Sequence, residues 1–168
     1  VGTLAFFKLS NAKSGCVAIK EDKKEQIAQL QELFKGTPIE VRIVPNVYPM
    51  GWERTLVYQL TNKRYDKLPI EAGCIVNNAS TAIAFGNAIV NGMPVTHKYL
   101  TVSGDAVKNP QNVYVPVGTK VHDIIDAVGG YKDGVDDVVL IAGGPMMGRA
   151  IPNDQFVVMA QNNGLTIQ

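Results

Sequence analysis

Apolar positions in the first sixty residues switch between a helical period and a strand period. Leu4 and Phe7, with Phe6 beside them, repeat at helical spacing until Ser10-Asn11 break the run. Cys16 to Lys20 then read as a strand. Ile27, Leu30, Leu33 and Phe34 return to helical spacing, with Asp22 placed to cap that helix and Gly36 to close it. "IEVRIV", Ile39 to Val44, alternates like a strand. Helix, strand, helix, strand is the rhythm of an α/β layer around a parallel sheet. A further helix, running through Leu60, follows the loop after Val44.

Beyond it "TNKRYDKLPIEAG" is polar and contains proline, as a surface loop does. Cys74 to Val76 are predicted as a short strand. Asn77 or Asn78 is placed to cap a helix from Ala79 to Asn91, closed by Gly92 and Pro94. Near Val95 the texture changes. "HKYLTVSGDAV" and "NVYVPVGT" alternate as two strands joined by a turn at "KNPQ". "VHDIIDAVGG" reads as a short helix capped by Thr119 and stopped by Gly129-Gly130, and "DDVVLIAGGP" as another strand. This order, β-β-α-β, suits a small sheet with one helix across it.

The 168 residues are 46% hydrophobic, enough for one medium domain or two small ones. Sixteen basic and fifteen acidic side chains give a formal charge of +1 with no basic tract, which argues against nucleic acid as a partner. No apolar run reaches the ~20 residues of a membrane helix, so no direct membrane insertion is expected. The N-terminal residues do not have the layout of a signal peptide and read as mid-domain. Cys16 and Cys74, each flanked by apolar residues, read as small core side chains of a reducing compartment. His97 and His122 are singletons and there is no CxxC, so no metal ligand is assigned.

The most unusual stretch is "YPMGWERTLVYQL", Tyr48 to Leu60, which opens as a turn and ends as a helix. It lies at the carboxyl end of a strand, the edge at which open α/β sheets bind ligands. Trp52, the sole tryptophan, is either a packing anchor or a face for a flat partner. Glu53 either complements the helix dipole or contacts a ligand. Asn77 and Asn78, at a second strand-to-helix switch, either cap the helix or bind a ligand. "GGPMMG" lacks the Lys-Ser/Thr ending of a phosphate loop and a following helix, so Met146 and Met147 are read as core or interdomain packing.

Four motifs taken together, "YPMGWERTLVYQLTNKRY", "GCIVNNASTAIA", "TVSGDAVKNPQNVYVPVGT" and "IAGGPMMG", resemble the C subunit of Rnf-type electron transport complexes. That family is related to the NADH-binding flavoprotein subunit of respiratory complex I. The resemblance covers nearly the whole chain and implies a partial Rossmann-like α/β layer at 1–95, the C-terminal part of an FMN- and NADH-binding domain. A small β-grasp, soluble-ligand-binding domain follows at 96–155, with a connecting tail at 156–168. It implies that the flavin phosphate loop lies upstream of Val1 and the iron–sulfur cysteines downstream of Gln168. On that basis no cofactor is expected to bind the 168 residues alone.

Residue by residue, the relatives' flavin-facing Tyr-x-x-Gly-Glu-Glu carries over to Tyr48, Gly51 and Glu53, with Trp52 in place of the first glutamate. Their Asn-Asn-Val-Glu-Thr carries over to Asn77, Asn78 and Thr81, with Ser80 in place of the acid. No residue is assigned as catalytic. The implied function is a cytoplasmic electron-transfer flavoprotein subunit, peripheral on the inner face of the membrane. It would pass reducing equivalents between NADH and iron–sulfur carriers, with other complex subunits and ferredoxin-like proteins as partners. The alternatives are a soluble relative serving a corrinoid or proline reductase, and a non-catalytic ligand- or partner-docking module.

Overall fold

The computed structural model describes all residues from Val1 to Gln168, and the chain divides into two compact units, Val1–Ile89 and Val90–Gln168. The architecture is mixed α/β in both. In the first unit, helix α1 (Gly2–Leu9) leads into strand β1 (Gly15–Lys20), helix α2 (Lys24–Leu33) and strand β2 (Ile39–Val44). β1 and β2 pair in parallel from Gly15 opposite Ile39 to Lys20 opposite Val44, as a β-helix-β crossover requires. On α2, Ile27 is buried and Leu30 and Phe34 half-buried, whereas Leu33 is exposed. At about 3.6 residues per turn, Leu33 falls well to one side of the stripe that the other three define.

Helix α3 (Glu53–Thr61), a 3-10 turn at Pro69–Ala72 and helix α4 (Ala79–Asn91) complete this part of the chain. Val57, Tyr65 and Ala72 form a small core on which Cys74 and Val76 pack. The expected strand at Cys74 to Val76 is absent, because its backbone finds no strand to pair with; the segment is held by side-chain packing and by the Cys74 amide, which donates to the Pro69 carbonyl at 3.0 Å. Cys16 is likewise not a core residue; its side chain faces outward from β1. α1 and α4 approach closely at two glycines. A Cβ on Gly86 would stand 2.9 Å from the Gly2 nitrogen, and Phe6 and Phe85 stack beside the crossing with centroids 4.4 Å apart.

The second unit is a five-stranded sheet in the order β4-β3-β7-β5-β6. β3 (His97–Ser103) and β4 (Gln111–Pro116) are antiparallel, with Tyr99 opposite Tyr114. β5 (Leu140–Ala142) and β6 (Arg149–Ile151) form a second antiparallel pair, and β7 (Gly164–Ile167) runs between the pairs, parallel to β3 and antiparallel to β5. Helix α5 (Val121–Ala127) covers one face, burying Val121, Ile124 and Ile125 against Leu100, Val102, Leu140, Leu165 and Ile167. No strand of this sheet comes from residues before His97.

Residues 156–168 are therefore not a connecting tail. They supply the middle strand, because the ladder edges of β3 and β5 would otherwise leave buried backbone groups unpaired. The buried Thr166 hydroxyl is satisfied by donating to the Gly143 carbonyl at 2.9 Å. Two expected caps are also replaced. Lys23, not Asp22, precedes α2, and Lys120, not Thr119, precedes α5, in both cases without a side-chain cap. At α5 the free N–H groups of Val121 and His122 instead donate to the carbonyls of Phe156 and Asp154, each at 2.8 Å. Met146 and Met147, read as packing residues, lie in the β5–β6 connection with their side chains exposed.

Candidate functional site

Sequence-chosen residues fall at the starts of α3 and α4. After β2 the chain turns through Val47 to Met50, with the Met50 amide donating to the Val47 carbonyl and the Trp52 amide to that of Pro49. Met50 is buried and anchors the turn. Its aromatic neighbours are not: Tyr48 is 81% exposed and Trp52 55%. Gly51 faces open space, since a Cβ built there meets nothing within 4 Å. The chain's own packing thus does not demand glycine at a position that, in sequence, lies between two exposed aromatic residues.

Trp52 is the N-cap residue of α3 but makes no side-chain cap, and Glu53 is the first helical residue. Its carboxylate complements the helix dipole. Glu53 Oε1 accepts a hydrogen bond from the Tyr65 hydroxyl at 2.9 Å, the one side-chain bond that Glu53 makes. Arg54, next in sequence, turns away from it. The guanidinium stacks 4.8 Å from the centre of the Tyr65 ring and donates to the backbone carbonyl of Tyr65 at 2.7 Å and to that of Asp66. Burial pushes the Tyr65 phenol up, and the adjacent Glu53 adds to this. Glu71 closes the loop by accepting from the amides of Asp66, Lys67 and Leu68, and those backbone donors, Leu68 first, hold its carboxyl below the usual range.

At the start of α4, Asn78 Oδ1 accepts from the Ser80 amide at 2.9 Å and the Ser80 hydroxyl at 2.8 Å. The capping role expected of Asn78 is what this geometry provides. Asn77 and Thr81 are exposed and make no side-chain hydrogen bond. Asn77 follows Val76, which rests on the same Val57–Tyr65–Ala72 core that carries Glu53's partner, so one small cluster underlies both helix starts. The sequence offered little sign of Tyr65, Arg54 or Glu71. Their one signal was a tyrosine inside an otherwise polar loop.

The residues fit a flat aromatic cofactor in kind. Exposed rings at Tyr48 and Trp52 offer stacking faces, the open position at Gly51 admits a close approach, and Asn77, Thr81 and Glu53 offer hydrogen bonds. Phosphate is not provided for at Gly143 to Gly148, where the Gly148 amide donates to the Gly144 carbonyl in a turn and no helix follows. No group of three or more His, Cys, Asp or Glu stands close enough to hold a metal ion. A cavity of about 330 Å³ in the second unit, between Tyr131, Leu140, Ile151 and Asp154, includes none of the sequence-chosen residues.

Two exposed aromatic residues and a carboxylate that no cation neutralises follow a strand's carboxyl end in an α/β unit, and comparison with known proteins says to which family that unit belongs. Residues 1–87 match the family described as the Nuo51 FMN-binding domain, and residues 99–150 match the SLBB domain. The chain belongs to the Nuo51 FMN-binding domain family. It is 35% identical, over 98% of its length, to the C subunit of the proton-translocating ferredoxin:NAD(+) oxidoreductase complex of Clostridium ljungdahlii, covering 36% of that protein. It is 31% identical over 88% of its length to the C subunit of the Na(+)-translocating ferredoxin:NAD(+) oxidoreductase complex of Acetobacterium woodii, covering 34%. To the cobalamin reductase PduS of Citrobacter freundii it is 34% identical over 94%, covering 35%. The chain thus spans about a third of the length of these relatives. The resemblance drawn from the four sequence motifs stands, and no helix is long and apolar enough to cross a membrane.

Proposed function

We propose that the chain forms one wall of an FMN- and NADH-binding site in an electron-transfer flavoprotein subunit that passes reducing equivalents between NADH and iron–sulfur carriers. In this reading the first unit is the C-terminal part of a Rossmann-like layer and the second, from about Thr96, a β-grasp domain. Its partners are the other subunits of an ion-translocating complex and ferredoxin-like proteins, and it works peripherally on the cytoplasmic face of the membrane. The observation that carries the proposal is the open position at Gly51 in a turn that also exposes Tyr48 and Trp52, with Glu53 left unpaired by any cation.

FMN, when bound, supplies the redox chemistry. The chain's residues bind and orient. Trp52 and Tyr48 offer faces for the isoalloxazine or nicotinamide, and Gly51 lets the backbone approach. Glu53 accepts from a ribose hydroxyl or the carboxamide, and Asn77, Asn78 and Thr81 contact the ribityl chain or phosphate. Cys16 and Cys74 are the only cysteines, too few for a four-thiolate cluster, so the iron–sulfur carriers are supplied by other residues. A second reading is favoured by the similarity to the cobalamin reductase, which covers nearly as much of the chain. There the same site serves a soluble reductase.

Trp52 is the sole tryptophan, so the chain has one indole N–H resonance, and it lies at the site. In a ¹H–¹⁵N titration of the purified chain with FMN, that resonance and the Gly51 and Asn77 signals should move together, with a millimolar dissociation constant. A few hydrogen bonds worth about 0.5–1.5 kcal/mol each do not offset the cost of immobilising a ligand where no phosphate loop helps. If Trp52 does not respond, the site is elsewhere. If saturation comes at micromolar FMN, the chain holds the phosphate as well and is more than one wall.

A further inference from the structure

We infer that Tyr65 is the positioning residue of this site: its buried phenol fixes the Glu53 carboxylate in one orientation and leaves the other oxygen to accept from a nucleotide's hydroxyl or amide donor. This rests on the nucleotide-binding reading above. Three observations carry it. Tyr65 is 8% exposed although it sits in a polar loop, and its ring belongs to the core with Val57 and Ala72. Its hydroxyl reaches across twelve residues of sequence to Glu53 Oε1 at 2.9 Å, while no donor is bonded to Oε2. Arg54, the nearest cation in sequence, is committed to the Tyr65 ring and to the Tyr65 and Asp66 carbonyls, so it braces the phenol and does not neutralise the carboxylate.

A surface glutamate left to itself samples several rotamers and loses that freedom on binding. A carboxylate already held by a neutral donor keeps its charge and has that loss behind it. The loop that holds Tyr65 is itself closed by Glu71 on three consecutive amides, so the phenol is fixed from both its ring and its backbone. The occupant implied is a nucleotide that brings a hydrogen-bond donor to the start of α3, as the ribose diol and carboxamide of NADH do.

The test follows the Trp52 indole resonance of the chain during NADH titration. Tyr65→Phe keeps the ring and removes the hydroxyl, and should weaken binding about three- to tenfold while the chain stays folded, its melting temperature lowered by no more than the loss of one hydrogen bond explains. In a Glu53→Ala background the same substitution should have no further effect, since Tyr65 acts through Glu53. Without ligand, the ¹³Cζ signal of Tyr65 should titrate at lower pH in Glu53→Ala than in the unaltered chain, a change that simple packing does not produce. Equal binding by Tyr65→Phe and the unaltered chain overturns the inference alone, as do additive losses. Absence of any NADH response at Trp52 in the unaltered chain overturns the site reading and the inference with it. Should Tyr65→Phe not fold, the Tyr65 titration decides, and no change in Glu53→Ala overturns the proposal.

Discussion

Ile167→Ala tests the placement of the last strand in the centre of the second unit. Ile167 is 0% exposed and belongs to the cluster of Leu100, Val102, Ile125, Leu140 and Leu165, while its carbonyl accepts from the Ala106 amide at 3.1 Å. The substitution removes the outer carbons of the side chain, with a transfer loss of about 2.4 kcal/mol at about 0.8 per methylene, before any cavity is counted. A cavity that relaxes only in part raises this to about 3–4 kcal/mol. A unit of about 80 residues is stable by about 4–12 kcal/mol, so the variant forfeits about a quarter or more of it. At about 4–8 °C per kcal/mol, the melting temperature should fall by about 12–32 °C. Circular dichroism follows the sheet, and Trp52 emission, from the other unit, serves as the internal control. A chain that melts within about 3 °C of the unaltered one would show that Ile167 lies outside the core and that 156–168 is a tail after all.

Two further outcomes follow from geometry. Asp154 bonds His122 Nδ1 at 2.9 Å and, ahead of Asp126, pushes the imidazole above its usual 6.5, while His122 holds Asp154 below its usual 3.8. The histidine's contribution is complete below pH 6.5 and is lost as pH rises through its raised value; the aspartate's is present above 3.8 and is lost as pH falls through its depressed one. Asp154→Asn should therefore lower the melting temperature more at pH 6 than at pH 8.5, and an equal decrement at both would refute the pairing. Gly86→Ala should destabilise the first unit by about 1–3 kcal/mol, because its methyl group would crowd the Gly2 backbone. Denaturation followed by Trp52 emission checks this; a gain of about 1 kcal/mol, as helix propensity alone would give, would show that the helices do not meet there.

Much of the fold is legible because periodicity records which face is buried. "IEVRIV", the helix from Ala79 to Asn91 and the strands on either side of the "KNPQ" connection all occur where their patterns place them. What is illegible depends on partners distant in sequence. β6 and β7 have three and four residues, too few for a pattern, and become strands only because β5 and β3 supply ladders. Cys74 to Val76 show the converse, an apolar triplet without a ladder. α5 begins without a side-chain cap because backbone carbonyls more than thirty residues downstream take its amides. The turn and the place of Glu53 at a helix start were legible from their position after a strand, whereas Tyr65 was hidden, since its ring is buried by Val57 and Ala72 and its hydroxyl bonds a carboxylate twelve residues earlier.

The two helix starts of the first unit differ in what they can offer, and that difference restricts any occupant. Glu53 has only acceptor capacity, with Oε1 already engaged by Tyr65. Asn78 is the reverse. Its Oδ1 is taken by both Ser80 groups, so the amide nitrogen alone is left, as a donor. Asn77 and Thr81 can act in either sense, beside a helix N-terminus whose free N–H groups favour negative charge. A ligand that meets both starts must therefore bring a donor to α3 and an acceptor, or an anion, to α4. A nucleotide with hydroxyl or amide donors at one end and phosphate at the other satisfies this pattern, whereas an apolar peptide satisfies neither half. If the 168 residues served only as a docking module for protein, this polarity would have no use: the unaltered chain would show no nucleotide response at Trp52, whereas a nucleotide site gives that response and loses it in Glu53→Ala with Asn77→Ala.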